Sequence, residues 1–272
     1  MTVEPAVGRT RVRRGRLASA DLARLAAVLG RPSLPDRLPL GWQWASLNEV
    51  PRAADMGEDG HPQRGDFLPE LGLPRRMFAG ASMRLISDLL IDAPTEVEER
   101  IISVQEKIGR TGRLAFVELE RLFFQYGQLR LSETQTLVYR QAAQGPAVQE
   151  VAPAPGDVKA DWREAIHPDP VMLFRFSAAT FNAHRIHYDR DYAQRVEFYP
   201  GLVVHGPLVA LLLLEALFRH SGRSPKTFHF RALSPLFDTA PFFLCGRLDG
   251  DQAELWAEGA DGQRAMTAGG GV

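Results

Sequence analysis

The sequence predicts an α+β protein in which antiparallel strands wrap around a buried helix, with this arrangement present twice in one chain. Three observations indicate it. Each half of the chain carries a late run of strand-like segments separated by turn residues. The second half contains one long apolar helix. Residues 141–158, which are rich in Ala, Pro, Gly and Gln, separate the two halves as a linker does.

The first half is mostly strand. A capped amphipathic helix is predicted over Ser19–Leu29, and residues 51–76 form an irregular stretch full of Pro, Gly and charge. Trp42 and Trp44 alternate as they would in a strand. Turn chemistry at Gly109–Gly112 separates the first two of three successive predicted strands, which are Glu98–Ile108, Leu114–Phe124 and Leu129–Arg140.

The second half begins with a short predicted strand, Val171–Ser177. A helix of about four turns follows within residues 203–222; Pro207 suits its first turn and Gly222 suits its end. This helix is apolar nearly all round, so it must be buried on most sides. Four further strands are predicted after it: Lys226–Leu233, Phe242–Leu248, Ala253–Glu258 and Arg264–Ala268.

A strand, a buried helix and a run of antiparallel strands together describe the hotdog fold. Because both halves have similar length and strand content, the sequence predicts a double hotdog. The predicted parts are an N-terminal domain over residues 1–140, a linker over 141–160 and a C-terminal domain over 161–272. The first half lacks an apolar helix of comparable length, so its version of the fold is expected to be degenerate.

Composition excludes several classes of protein. Thirty-two basic and 33 acidic residues among 272 give a formal net charge of −1, which is not the footprint of a general nucleic-acid binder. Cys245 is the single cysteine, so an internal disulfide and any cysteine-based metal site are excluded. The longest apolar run, Leu208–Phe218, contains Glu215 and is too short to span a membrane. The N-terminal arginines have no apolar secretory region beside them, so a cytoplasmic location is expected.

A cluster of polar residues in the second half is the first candidate site. Asn182 and His187 lie five residues apart, about 140° around a regular helix, so they converge only if the chain bends between them. A convergent amide and imidazole would hold a water beside an electrophile, with the histidine as general base. The alternative is that these residues cap a short helix and satisfy backbone groups.

Metal binding is a second interpretation of the same cluster. His184 and His187 are three residues apart and Asp191 follows four residues later, so all three would share one face of a helix. The pattern is weaker than HExxH, because no glutamate base lies between the histidines. We therefore expect no metal.

The start of the apolar helix is the second candidate site. The backbone N–H of Gly206 would lie in the first turn, where free amides and the helix dipole favour negative charge. Glycine there lets a ligand approach the backbone, as the oxyanion hole for a thioester carbonyl requires. The alternative is an ordinary turn before a helix that begins with Pro.

The two motifs together resemble those of the MaoC-like, or hydratase-2, family of enoyl-thioester hydratases, which are hotdog proteins. That family's motif is commonly written G-D-x-N-P-L-H, with a later P-x-x-H-G opening the central helix. The resemblance implies that His187 is the catalytic histidine, that Asn182 stands at the position of the catalytic aspartate, and that His184 stands at the position of the motif asparagine. It also implies that Gly206 is the oxyanion glycine. An amide at position 182 cannot transfer a proton, although it can orient a water or the substrate.

Several further segments resemble one branch of that family, which contains mitochondrial-type 3-hydroxyacyl-thioester dehydratases and bacterial mesaconyl- and itaconyl-CoA hydratases. The segments TFNAHRIHYD and YPGLVVHGPL match this branch in the second half. In the first half, DFLPELGLPRRMFAG and KIGRTG match it. The resemblance implies a catalytic C-terminal domain, with an N-terminal domain that is non-catalytic and forms a wall of the substrate pocket.

The implied reaction is reversible addition of water to an α,β-unsaturated acyl-CoA, and itaconyl-CoA or mesaconyl-CoA is the expected substrate. One alternative is a 3-hydroxyacyl dehydratase of fatty acid synthesis that acts on a CoA or carrier-protein thioester. Another is a non-catalytic hotdog that binds acyl thioesters. No cofactor is expected, because coenzyme A is part of the substrate, and the protein is expected to be either a monomer or a homodimer.

Arginines are the expected partners of a free substrate carboxylate, because a guanidinium binds a carboxylate bidentately. Arg185 lies within the catalytic segment, and Arg75 and Arg76 lie in the first-half motif. The alternative is that these arginines face solvent or pair with local acids. Two histidines of the motifs, His184 and His205, are also expected to contact the substrate. Glu215, within the apolar helix, is expected to pair with Arg219 or to face a polar cleft.

Overall fold

Ten strands and four α-helices lie within the residues that the structure describes. The structure, a computed structural model, describes residues 6–109, 112–143, 145 and 159–272. In the first half lie β1 (Thr10–Arg16), α1 (Ser19–Val28), β2 (Arg75–Leu85), β3 (Pro94–Gly109), β4 (Gly112–Gln125) and β5 (Gln128–Arg140). In the second half lie β6 (Trp162–Ile166), α2 (Pro170–Thr180), α3 (Arg190–Arg195), α4 (Gly206–Ser221), β7 (Thr227–Ala232), β8 (Phe242–Asp249), β9 (Gln252–Glu258) and β10 (Arg264–Gly271).

All ten strands form one antiparallel sheet in the order β1-β3-β4-β5-β2-β7-β10-β9-β8-β6. The five strands of each half are contiguous in this order. The halves meet where β2 pairs with β7, with Ala81 opposite Phe230. The predicted α+β double hotdog is therefore confirmed, and its two sheets are joined edge to edge.

Helix α4 is the central buried helix of the fold. Every residue from Leu208 to Leu217 is buried, as the apolar run predicts, and the helix packs on strands β7, β8 and β9 and on β2 of the other half. Gly222 ends it in the left-handed conformation at φ 67°. Glu215 does not pair with Arg219. It binds Arg31 at 2.7 Å and accepts a hydrogen bond from Trp42 Nε1 at 3.2 Å, so it links the helix to the first half.

The first half replaces a long central helix with other buried groups. Helix α1 has ten residues, begins without the predicted side-chain cap, and packs on α2. Trp42 and Trp44 are core residues, but they lie in a 3-10 turn, Trp42–Ala45, instead of the predicted strand. Beside this turn, Arg121 bridges two buried carboxylates, Glu99 at 3.0 Å and Glu133 at 3.2 Å.

The predicted strand Val171–Ser177 is wrong. These residues belong to α2, whose start is fixed by Asp169, because the Asp169 carboxylate accepts a hydrogen bond from Met172 N at 2.7 Å. Pro170 occupies the first turn, where its missing N–H costs nothing. Asp169 and Pro170 are thus a helix-start signal, and they outweigh the strand propensity of the apolar residues that follow.

Two predicted features fall partly outside the described residues: most of the linker 141–160 and the middle of the turn Gly109–Gly112. The remaining predicted strands of both halves are confirmed, with ends that differ by a few residues at most. No helix in the part of the chain that the structure describes is long and apolar enough to cross a bilayer.

Candidate active site

The segment from Asn182 to His187 bends, as the catalytic hypothesis requires. Helix α2 ends at Phe181 in the left-handed conformation, and the amide of Asn182 closes it by donating to Ser177 O at 2.8 Å. The side-chain Oδ1 of Asn182 then accepts a hydrogen bond from His184 N at 3.0 Å. A 3-10 turn, Arg185–His187, follows at once. Asn182 therefore satisfies a backbone N–H, as the non-catalytic interpretation predicts. The segment also has the bend that the catalytic hypothesis needs.

His187 is the last residue of this 3-10 turn. Its hydrogen bond and its burial suit its side chain to act as a base. Its Nδ1 lies 2.7 Å from Val203 O, a carbonyl that can only accept a hydrogen bond, so Nδ1 carries the proton and Nε2 holds a lone pair. Nε2 has no hydrogen-bond partner among the described residues. Burial lowers the pKa of His187 to about 4, so the imidazole is neutral at neutral pH.

His205 lies directly behind His187. The two rings stack with centroids 3.6 Å apart, and His205 Nε2 lies 2.9 Å from the hydroxyl of Ser177. His205 is 0% exposed and packs against the ring of His187, and its expected contact with substrate stays a prediction. Burial, followed by the neighbouring His187, lowers the pKa of His205 well below its usual range.

Gly206 follows His205 and is the first residue of α4. Its N–H has no acceptor among the described residues, and Pro207 carries no N–H that could compete for an anion. An added Cβ would lie 3.5 Å from Phe78 O, so the backbone of β2 forms the facing wall. This is the geometry that the oxyanion hypothesis requires, and the role itself stays a prediction.

The first half contributes two site residues that the sequence analysis missed. Asp59 and His61 lie on a loop of the irregular stretch 51–76, and the His61 ring packs on His184 with centroids 4.1 Å apart. His61 Nδ1 lies 2.9 Å from the Asp59 carboxylate. The only sequence signal is a histidine beside an Asp-Gly turn in a segment without periodicity, which is far too common to single out a site.

Burial keeps the imidazoles of this cluster neutral. It lowers the pKa of His61 to about 4, with the charge of Arg76 as the next cause, although Asp59 opposes the shift. Burial also lowers the pKa of His184, and the neighbouring His61 and His187 add to that effect. Since His184 and His187 lie with ring centroids 5.4 Å apart, three neutral imidazoles form a continuous row.

The three predicted arginines have different surroundings. Arg75 binds Glu197 at 2.5 Å, and Arg185 binds Asp189 at 2.8 Å, so both are held by local acids, as the alternative interpretation proposed. Arg76 forms no ion pair within the described residues. Its positive charge is close enough to lower the pKa of both His61 and His184. Of the three, Arg76 is the one available to an anionic substrate.

The alternative metal set of His184, His187 and Asp191 is not assembled in the structure, because the Asp191 side chain is 75% exposed and lies 3.7 Å from Arg195. A different set, Asp59, His61 and His184, does bring its donor atoms within 4.8 Å of one another. Positive charge beside this set opposes a cation, since Arg64 lies 3.5 Å from Asp59 and Arg76 acts on both histidines.

Comparison with known proteins places the chain in a family. The family model described as hydroxyacyl-thioester dehydratase type 2 matches residues 41–238. The chain is 46% identical over 256 residues to mesaconyl-C(4)-CoA hydratase of Chloroflexus aurantiacus, which covers 92% of this chain and 89% of that protein. It is 36% identical over 121 residues to the mitochondrial hydroxyacyl-thioester dehydratase type 2 of Schizosaccharomyces pombe, covering 43% of this chain and 39% of that one.

Solved structures agree on the fold. The MaoC-like dehydratase from Phytophthora capsici superimposes with a TM-score of 0.72 at 14% identity, covering 100% of this chain and 97% of that one. At this identity the likeness shows the fold alone. It agrees with the resemblance that the sequence motifs indicated.

Proposed function

Because the chain belongs to the hydroxyacyl-thioester dehydratase type 2 family, we propose that it hydrates a short dicarboxylic enoyl-CoA of the mesaconyl type. Hydratase and dehydratase, the names of its two relatives, describe the two directions of one hydro-lyase reaction. The similarity to the mesaconyl-C(4)-CoA hydratase spans nearly the whole chain, whereas the match to the mitochondrial dehydratase spans less than half of it. The hydration direction is therefore the one we propose.

The chemistry follows from His187 and Gly206. Nε2 of His187 takes one proton from a water molecule while the water oxygen bonds to the β carbon of the thioester. The electron pair of the double bond moves to the α carbon and the thioester oxygen. The N–H of Gly206 donates a hydrogen bond to that oxygen and stabilises the enolate-like transition state. His187 then passes its proton to the α carbon, so both hydrogens of the water end in the product and the addition is syn.

Arg76 carries the proposal of a dicarboxylic substrate. The half-buried guanidinium of Arg76 has no ion-pair partner among the described residues, so it gains a charge-assisted contact when a carboxylate enters beside it. The free carboxylate of mesaconyl-CoA or itaconyl-CoA supplies such a partner, and the acyl chain of crotonyl-CoA does not. Coenzyme A enters as part of the substrate, and we propose no separate cofactor.

The test is hydration of mesaconyl-C4-CoA, itaconyl-CoA and crotonyl-CoA. The reaction is monitored as the loss of the enoyl-thioester absorbance. We expect the wild type to prefer a dicarboxylic thioester, and His187→Ala to lose about 10²- to 10⁴-fold in turnover, as removal of a general base does. Arg76→Gln should raise KM for the dicarboxylic thioester at least about tenfold and leave crotonyl-CoA unaffected. Arg84→Gln is the matched control, because Arg84 is an exposed arginine on the same strand.

Three outcomes count against the proposal. Preference for crotonyl-CoA would assign the chain to linear hydroxyacyl thioesters. Silence on all three thioesters would indicate a protein that binds acyl thioesters without catalysis. Turnover that persists in His187→Ala would show that His187 is not the general base.

A further inference from the structure

The carbonyl that holds the proton of His187 on Nδ1 belongs to a short segment, residues 202–204. On one edge this segment contacts the catalytic turn: Val203 N donates to Ile186 O at 3.0 Å, and Val203 O lies 2.7 Å from His187 Nδ1. On its other edge it pairs with residues 236–238 through an isolated antiparallel bridge at Val203. The position of the Val203 carbonyl therefore depends on what holds residues 202–204.

One side chain contributes to the pairing of these two segments. Asp238 Oδ1 accepts a hydrogen bond from Leu202 N at 2.9 Å, and Asp238 N donates to Leu202 O at 3.0 Å. A further bond, from Val204 N to Leu236 O at 2.8 Å, joins backbone to backbone. Without the Asp238 carboxylate, the amide of the buried residue Leu202 has no acceptor in the part of the chain that the structure describes.

Charge and close packing hold the Asp238 carboxylate in place. The side chain is 2% exposed, and its Oδ2 forms an ion pair with Arg190, the first residue of α3. A backbone N–H that donates to a carboxylate makes a charge-assisted bond, which is stronger than a bond to a neutral acceptor. Gly201 allows the close approach, because a Cβ on Gly201 would lie 2.6 Å from Asp238 Oδ1. The carboxylate thus ties residues 202–204 to the stretch of chain that follows His187.

We propose that Asp238 is a positioning residue for the general base: its carboxylate fixes residues 202–204 and thereby holds the Val203 carbonyl on Nδ1 of His187. The inference rests on the proposed hydratase function and deepens it. Asp238 acts through His187 and takes no part in the proton transfer. A neutral imidazole has two tautomers, and only the one with its proton on Nδ1 offers a lone pair on Nε2 to the water. When the Val203 carbonyl moves away, the ring is free to carry its proton on Nε2, and that form cannot accept a proton there.

The first experiment observes the tautomer of His187 directly, without any substrate. Protein labelled with ¹⁵N-histidine is compared by NMR spectroscopy at neutral pH, and the His187 signals are identified by their loss in His187→Ala. We expect the wild type to show a protonated Nδ1 and an unprotonated Nε2. Asp238→Ala should move His187 towards the form with a protonated Nε2. Gly201→Ala should do the same, because it keeps the carboxylate but crowds it away from Leu202 N, and it decides the question if Asp238→Ala does not fold.

The second experiment measures hydration of the enoyl-CoA that the wild type turns over fastest. We expect Asp238→Ala to lower kcat about 10- to 10²-fold with KM within about threefold, since a misplaced catalytic group costs about that much. Asp238→Asn should recover most of the loss, because its amide oxygen can still accept from Leu202 N. Asp161→Ala is the matched control. Asp161 also donates its N–H to a facing carbonyl, Gly246 O at 2.8 Å, and accepts from Leu248 N at 2.9 Å, but it lies exposed beside the edge strand β6.

The outcomes separate this inference from the proposed function. A wild type that hydrates none of the thioesters overturns both, since there is then no reaction for the base to serve. An unchanged His187 tautomer in Asp238→Ala and Gly201→Ala, beside an active wild type, overturns the role of Asp238 and leaves the hydratase intact. Equal loss of kcat in Asp238→Ala and Asp161→Ala, or no recovery in Asp238→Asn, would give Asp238 a structural role alone and would overturn the inference in the same way.

Discussion

At the scale of single residues, the partner of Nδ1 decides what each histidine of the site can do. His187 and His61 have Nδ1 at an acceptor oxygen and a free Nε2, whereas His205 uses Nε2 for Ser177 and is closed off from the site. His187 and His205 are buried and His61 is half-buried, and removal from water disfavours the imidazolium of each. The site is therefore a set of neutral bases at physiological pH.

The lowered pKa of His187 predicts an unusual pH profile. The base must be neutral, and with a pKa of about 4 it stays neutral far below the ordinary histidine value of about 6.5. We expect kcat/KM to remain flat from pH 8 down to about pH 5 and to fall only as pH approaches 4, because kcat/KM reports ionisations of the free enzyme. The measurement is the initial hydration rate at low substrate across that range. A half-maximal rate near pH 6.5 would contradict the burial of His187.

The sequence allowed site residues to be predicted where they belong to a recognisable motif. His187, Asn182 and Gly206 lie within two short stretches of chain whose residue types state their chemistry. His61 and Asp59 lie more than 120 positions before His184, in a segment with no periodicity. No local pattern can report a contact between them.

At the scale of secondary-structure elements, the residues that start a helix decide between helix and strand more reliably than the apolar residues that follow. Helix α2 was predicted as a strand because its apolar residues suit both structures, and the Asp169-Pro170 pair decides for helix. The consequence reaches the site. The left-handed end of α2 at Phe181 begins the bend that carries the chain from Asn182 to His187.

The loop around Gly60 gives a prediction at this scale. Gly60→Ala forces a Cβ to within 1.9 Å of a backbone oxygen at φ +85°, so the loop must move away from Ala183. We expect turnover to fall by about tenfold or more, because the Asp59 carbonyl of this loop holds Arg185 N at 3.0 Å and its displacement would shift the turn that carries His187. Gly30→Ala is the control: Gly30 has φ +73°, but no atom lies within 4 Å of its added Cβ. Equal activity of the two variants would show that the loop does not set the position of His187.

At the scale of the whole molecule, the two halves differ in how they are stabilised. The second half is built on the apolar helix α4. The first half contains a buried charge network in which Arg121 joins Glu99 and Glu133, and Trp44 Nε1 donates to Glu133 at 2.7 Å. No sequence pattern marks these charges as buried, because strand alternation places charged residues on the exposed face by default.

This network predicts the cost of removing its central cation. Arg121→Met leaves the Glu133 carboxylate buried without a cation, while Glu99 keeps Arg11 at 2.5 Å and Arg13 at 2.7 Å. Loss of one partner of a buried ion pair destabilises a protein by about 3–5 kcal/mol. The free energy of unfolding in urea measures the effect. Arg113→Met is the control, since Arg113 binds Glu106 at 2.8 Å at the surface, where an ion pair contributes less than about 1 kcal/mol. Equal stabilities of the two variants would show that the Glu99–Arg121–Glu133 network contributes little to folding.

The sequence by itself determined the two halves, most strands, the central helix and the motif that carries His187 and Gly206. Strand alternation, helix periodicity and motif spacing are all local, so they can be read along the chain. Only the tertiary structure decided that the sheets join through β2 and β7, that the charge of Arg76 lies close to the imidazoles, and that the ring of His61 packs on His184. These features depend on contacts between residues far apart in the chain, and those contacts exist only once the two halves have packed.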